Sequence, residues 1–216
     1  MEKNNGKVVA IVALVVAVVA LSVGFAAFSD TLTIDGNANV AAAANPFDDT
    51  TNGLAYSSTA PKCYATGDSN QTAIGTPGTA SGDTWSGISV PLNSTTDSVT
   101  CVATVLNKTS YTAYLRSISA SAGLSCASTG ANATTNANNV CSGASVVVNI
   151  GGTDSLTING TTKPADATGT SSLAPTDGTA TVTVTISYNK NALTDEDVTI
   201  TLPTITHTYS SASTGN

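Results

Sequence analysis

The chain has very few of the residues that enzymes use for catalysis. It contains one histidine and one methionine among 216 residues, and neither an HExxH nor a GxSxG motif occurs. An enzyme needs a base, a nucleophile and a group that orients them. The single histidine, His207, alternates with Ile205 and Tyr209, which predicts a strand residue with a structural hydrogen bond. We therefore expect a protein that is not an enzyme and that has no cofactor.

Positive charge is also scarce. Beyond Ala27, four Lys and one Arg stand against twelve Asp and one Glu. Binding to nucleic acid or to anionic lipid depends on clustered cations, and the sequence contains no such cluster. We expect no nucleic-acid partner. The acidic run Asp195-Glu196-Asp197 lacks the loop motif that organises calcium ligands, and it predicts a solvated turn.

Cysteine is limited to four residues, Cys63, Cys101, Cys126 and Cys141. No CxxC pair occurs and the only histidine lies far from all four, which argues against a metal site. In an exported chain, four cysteines predict two disulfides. Bonds Cys63–Cys101 and Cys126–Cys141 would fix an irregular segment to the core and close the low-complexity residues 125–143, although the sequence leaves the two other pairings open.

One long apolar run occurs, at the N-terminus. Residues 8–27 contain no charge and, as a helix, would span the roughly 30 Å hydrocarbon core of a bilayer. Lys3 and Lys7 precede the run, so we expect the N-terminus to stay cytoplasmic and the remainder to be exported. Small residues at its end predict signal-peptidase cleavage between Ala27 and Phe28, whereas its length also fits a retained anchor. Contact with a membrane is expected only through residues 8–27.

A strictly alternating segment follows the apolar run. Leu32, Ile34, Ala38 and Val40 share one face with a glycine, and polar residues occupy the other face. This pattern predicts a β-strand with one buried face, so we assign residues 28–40 to an N-terminal strand of the donor type. Residues 41–62 contain two prolines and a glycine and predict a linker. Residues 63–216 then form one β domain.

Short β-branched segments recur along this domain, and hardly any helix is predicted. The clearest strands are residues 98–106, 144–150 and 181–188, weaker ones are residues 88–92, 111–118 and 156–158, and residues 198–209 form a last strand interrupted by Pro203. Asn159-Gly160 predicts a hairpin turn. The fold class predicted is all-β, an antiparallel β-sandwich of the jelly-roll or Ig-like type, preceded by a hydrophobic export helix.

Residues 24–40, GFAAFSDTLTIDGNANV, resemble the N-terminus of the TasA/camelysin family of bacterial secreted proteins, which carry a signal of the SipW-processed type. Residues 97–107, 115–118 and 198–209 are similar to later strands of that family. The resemblance implies a jelly-roll sandwich that polymerises into biofilm-matrix fibres, with the N-terminal strand of one subunit completing the sheet of its neighbour. The four cysteines depart from the family pattern. A single histidine gives no support to the metalloprotease label attached to some members.

Three functions follow as hypotheses. The first is a secreted structural protein that forms or decorates extracellular fibres or biofilm matrix at a bacterial cell surface, self-associating by strand exchange. The second is a membrane-anchored monomeric adhesin or binding module with a cell-surface ligand. The third is a pilin-like subunit that keeps its N-terminal helix. The N-terminus of the mature protein distinguishes them. We expect Phe28 for the secreted fibre protein, Met1 for the anchored adhesin and Lys7 for the pilin-like subunit.

Overall fold

The computed structural model describes residues 12–18, 45–47, 53–93, 98–129, 132–189 and 198–212. The chain divides into two compact units, Met1–Ala42 and Ala43–Asn216. In the first unit, residues 12–18 form helix α1. Among the described residues, no helix has the length and apolar character needed to cross a bilayer.

The described part of the second unit contains fifteen strands and one helix, α2. Their bounds in chain order are β1 Leu54–Tyr56, β2 Lys62–Ala65, β3 Thr79–Ser81, β4 Thr84–Ser86, β5 Ser89–Leu92, β6 Ser98–Asn107, β7 Ala113–Ala120, β8 Ser125–Ser128, α2 Ala133–Gly143, β9 Ser145–Ile150, β10 Asp154–Asn159, β11 Ala167–Thr168, β12 Ser172–Leu173, β13 Gly178–Ser187, β14 Val198–Thr201 and β15 Ile205–Ser210.

These strands form three sheets in which every strand pair is antiparallel. Sheet A has the order β1-β6-β13-β9-β10, with β2 also paired to β6. Sheet B has the order β5-β14-β8. Sheet C has the order β11-β7-β15-β4-β3, with β12 also paired to β7. The predicted all-β antiparallel fold is confirmed.

Sheets B and C are two parts of one bent layer. The neighbours β7, β15 and β4 of sheet C are joined in sequence to β8, β14 and β5 of sheet B, in the same spatial order. The predicted interruption at Pro203 is one of these bends, because β14 lies in sheet B and β15 in sheet C. A proline cannot donate to a ladder, so it suits the position where a strand leaves one sheet for another. This bent layer opposite sheet A is consistent with a β-sandwich.

The core is built from the alternating apolar positions of the long strands. Along β13, Val182, Val184 and Ile186 are buried and the intervening threonines face outward. Val184 lies between Cys101 of β6 and Val148 of β9 in the register of sheet A. Because successive strand residues point to opposite faces, this period of two buries one complete row of β-branched side chains.

The structure corrects the prediction that residues 41–62 form a linker. Leu54–Tyr56 pairs with the end of β6 as β1, and Leu54 is 1 % exposed. Phe47 is also buried at 1 %, and its carbonyl accepts a hydrogen bond from the Leu54 amide. This strand is only three residues long, and the nearby prolines and glycine predict irregular structure, so the sequence does not reveal it. Phe47 and residues 54–56 therefore belong to the β domain rather than to a linker.

Two local predictions also differ from the structure. Residues 133–143 form helix α2, in which Asn136, Val140 and Cys141 are buried and no side chain caps the N-terminus. The four-residue spacing of Asn136 and Val140 suits a helix, but the other residues of the segment are mostly small or polar, so no apolar period is visible in the sequence. Asn159-Gly160 ends β10 without forming a hairpin; the β9–β10 hairpin instead turns at Gly151 and Gly152, both with positive φ.

Candidate functional site

The single histidine lies in a buried aromatic cluster between the two layers. His207 of β15 is fully buried, and its Nε2 is 2.7 Å from the hydroxyl of Tyr56 on β1. The imidazole also contacts the ring of Tyr209 edge-on, with centroids 5.5 Å apart. Tyr56 in turn lies 6.3 Å from the ring of Trp85 on β4. The cluster therefore fastens an edge strand of sheet A to two strands of sheet C.

Burial controls the protonation of this cluster. It lowers the pKa of His207 to about 4, so the ring is neutral at physiological pH. Burial also raises the pKa of Tyr56, as does the negative charge of Asp83. It raises the pKa of Tyr209 as well, together with the charge of Asp154. Both phenols therefore stay protonated, and at neutral pH the groups of the cluster that form hydrogen bonds are uncharged.

Two polar atoms of the cluster are unusual. Within the described part of the chain, His207 Nδ1 and the Tyr209 hydroxyl are buried without a hydrogen-bond partner. Each such atom costs roughly 1–3 kcal/mol of stability. The aromatic packing and the hydrogen bond to Tyr56 act against that cost and hold the two layers together at this point.

Two further polar residues are buried as anchors that the sequence did not reveal. The Asn107 amide donates to the carbonyls of Tyr111 and Ala174 at 2.8 and 2.9 Å, and its oxygen accepts from Thr109. Asn107-Lys108-Thr109 has the form of a glycosylation sequon, but Asn107 is fully buried. Only the fold, which brings residues 109–111 and 173–174 to one side chain, shows that this asparagine is a structural residue.

Asp154 is the second anchor. It is 6 % exposed, and its carboxylate accepts hydrogen bonds from the Thr170 amide, the Thr170 hydroxyl and the Ser171 amide. Although burial opposes ionisation, the bonds from Ser171 and Thr170 hold the pKa of Asp154 below its usual value. The charge fixes the segment between β11 and β12 to the start of β10.

The four cysteines form two disulfides, Cys63–Cys101 and Cys126–Cys141. Cys63 and Cys101 are directly opposite each other in the paired strands β2 and β6, with Cα atoms 4.0 Å apart. The second bond joins β8 to α2. Two disulfides are typical of a protein that folds in an oxidising compartment.

Strand β10 forms an edge of sheet A. Within the described residues it pairs with β9 alone, and its six residues run without a bulge in that register. Asp154, Leu156 and Ile158 point into the core, whereas Ser155, Thr157 and Asn159 are exposed. The outward side of the edge therefore carries no charged side chain and no proline, the features that commonly protect an edge strand from pairing.

Several predicted functional residues lie outside the described part of the chain. They are the cleavage position, the alternating face of the N-terminal strand and the acidic run, namely Ala27, Phe28, Leu32, Ile34, Ala38, Val40 and residues 195–197. Across the residues the structure does describe, no three His, Cys, Asp or Glu side chains are grouped as metal ligands.

In comparisons with known proteins, no family model matches the chain and no curated sequence matches it. The resemblance to the TasA/camelysin family therefore rests on the residues quoted for it.

Proposed function

We propose that this chain is an exported structural protein that assembles into extracellular fibres or matrix at a bacterial surface. In this proposal the alternating strand of residues 28–40 from one subunit pairs with β10 of the next. A jelly-roll arrangement of the sandwich and a biofilm role are part of the proposal, as the resemblance implies. The disulfide-closed β fold supports an extracellular setting.

The observation that carries the proposal is the edge of β10, whose exposed side chains include no charge and no proline. The segment between β11 and β12 lies against its first residue, Asp154, and leaves the six-residue ladder edge without a paired strand among the described residues. Other described edges are less suitable acceptors. Strand β3 is three residues long. Strand β5 contains Pro91, and Ser89 already bridges to Thr76. Strand β8 packs against α2. At the opposite edge of sheet A, β1 and β2 are short and separated. An added strand needs a continuous ladder, which β10 supplies.

The donor strand matches β10 in length and pattern. Residues 31–40 are long enough to cover all six residues of β10. An antiparallel or parallel partner would place its apolar face beside Leu156 and Ile158 on the core side of sheet A. Leu32 and Ile34 would then extend the core, and the polar alternate residues would lie beside Ser155 and Thr157.

The test begins with fibre formation by purified protein, followed by electron microscopy. We expect fibres from the wild type and none from a variant carrying both Leu32→Asp and Ile34→Asp, because charge cannot enter the apolar layer. Asn37→Asp together with Asn39→Asp is the matched control. It places the same charges on the polar face and should still give fibres.

A second experiment locates the acceptor. A synthetic peptide of residues 31–40 should inhibit fibre growth and should protect amides of residues 154–159 from hydrogen exchange. The same peptide with Asp at positions 32 and 34 should do neither. Protection at another edge would refute the assignment to β10. A wild-type protein that stays monomeric and forms no fibres would refute strand exchange altogether and favour the anchored adhesin.

A further inference from the structure

The outer face of sheet A is a broad, nearly uncharged surface. Its side chains align in two rows across five strands, because the registers of β2, β6, β13, β9 and β10 coincide. One row is Tyr64, Thr100, Thr185, Val147 and Thr157, and the other is Lys62, Val102, Thr183, Asn149 and Ser155. We call these ten residues the threonine face.

Charge distribution distinguishes this face from the molecule as a whole. The chain has a formal net charge of −7, yet Lys62, at one corner, is the only charged residue of the threonine face. Identical acidic molecules repel each other, so they approach most easily through a surface that carries little charge. The same face offers no basic cluster to an acidic partner.

The chemistry of the face is complementary to itself. Thr100 is buried and its hydroxyl is bonded to that of Thr66, so it does not take part. The hydroxyls of Thr157, Thr183 and Thr185 can both donate and accept hydrogen bonds, so two copies related by a two-fold axis can satisfy each other there. Val147, at the fourth position of its row, is 37 % exposed and flanked by Thr185 and Thr157. Its side chain and the threonine methyl groups supply apolar area of the kind that excludes water between stacked sheets.

We propose that the threonine face is a self-association surface on which a second copy of this chain packs face to face. This contact uses the face of sheet A rather than its edge, and it does not involve residues 28–40. It therefore goes beyond the proposed function and does not depend on it.

The dimensions of the face predict a weak contact. Five strands about 4.8 Å apart, with two rows that take up about four residues of about 3.3 Å along each strand, cover roughly 300 Å². A stable interface buries about 800 Å² on each partner. One pair of faces should therefore associate only at high protein concentration. Repetition of the contact along two fibres would hold them side by side, because linked weak sites reinforce each other.

The outer face of sheet C provides a control surface. It carries the cation Arg116 near its centre, where the guanidinium donates to the Ser210 hydroxyl and the Ala212 carbonyl. Thr208 lies on strand β15 of this sheet, and its side chain is exposed, like that of Val147 on sheet A. A charge at Thr208 changes the net charge of the molecule equally but leaves the threonine face intact.

Sedimentation equilibrium measures the proposal directly. The variant with Leu32→Asp and Ile34→Asp serves as background, so that strand exchange does not contribute. We expect concentration-dependent dimers that Val147→Glu or Thr185→Glu weakens by about tenfold or more, since two carboxylates would face each other. Thr208→Glu should leave the dimer unchanged. Val147→Thr, which keeps a β-branched side chain, should weaken it by a smaller factor.

Each variant is first checked for folding by the thermal transition of Trp85 fluorescence. Folded Val147→Glu protein that dimerises like the background would overturn the proposal, as would a background protein that is monomeric at every concentration. Equal weakening of the dimer by Thr208→Glu would show that net charge and not the threonine face controls association, and it would overturn the proposal too. Retention on particulate chitin that Val147→Glu abolishes, without self-association, would assign the face to a polysaccharide and overturn the proposal as well.

Discussion

Acidification should destabilise the protein through His207, well above the pH at which carboxylates titrate. The pKa of this buried imidazole is about 4, against an ordinary value of 6.5. Above pH 6.5 both folded and unfolded chains hold it neutral, so it adds no pH dependence. Between pH 6.5 and 4 the unfolded chain binds a proton that the folded chain does not. Stability therefore falls across this window and levels off below it.

The magnitude follows from the difference between the two pKa values. One pKa unit is equivalent to about 1.4 kcal/mol, so lowering the pH from 7 to 4.5 should reduce the free energy of unfolding by about 2 kcal/mol. The other resolved shifts belong to separate ranges. The pKa values of Asp68 and Asp154 are both lowered from 3.8, so their contributions are lost only below that pH. The change in the free energy of unfolding between pH 6.5 and 4 therefore comes mainly from His207.

Urea unfolding at pH 7 and at pH 4.5, followed by fluorescence, measures the effect. Trp85 is the only tryptophan, is fully buried and contacts the cluster ring of Tyr56, so its emission reports loss of this core. His207→Phe keeps an aromatic ring but cannot ionise. We expect this variant to be less stable at pH 7, because Tyr56 loses its partner, but to show little change between the two pH values. A variant that loses as much stability on acidification as the wild type would refute the reasoning.

Three further predictions concern the covalent and polar anchors. Replacing Cys126 and Cys141 by alanine opens a loop with a sequence separation of 15 and should lower the free energy of unfolding by about 3 kcal/mol, measured by urea denaturation. Asn107→Ala should cost about 3 kcal/mol because it removes several hydrogen bonds made by one buried side chain, and mass spectrometry of protein exported from a glycosylating host should find Asn107 unmodified. Asp154→Ala should expose residues 167–173 to hydrogen exchange, while wild-type protein should show the same change only well below pH 3.8; unchanged exchange in the variant would contradict the anchor.

Much of the β structure is determined locally and is visible in the sequence. The alternation of Val182, Val184 and Ile186 with threonine predicts a strand with one buried face, and the structure places β13 there. Pro203 predicts an interruption because it lacks an amide hydrogen, and the chain changes sheets at that point. These features depend on the conformational preferences and spacing of neighbouring residues, so no distant partner is needed to recognise them.

Tertiary structure alone decided the arrangement of those strands and the roles of the polar residues. Strand β13 lies between β6 and β9 although it follows both in sequence, and His207 meets Tyr56 across 151 positions of the chain. Asn107 begins a triplet with the form of a glycosylation sequon, yet it is fully buried because residues 109–111 and 173–174 both meet its amide. Burial and pKa depend on the solvent excluded by residues remote in sequence. The sequence could therefore predict a strand histidine, but only the fold could make it a buried, neutral one.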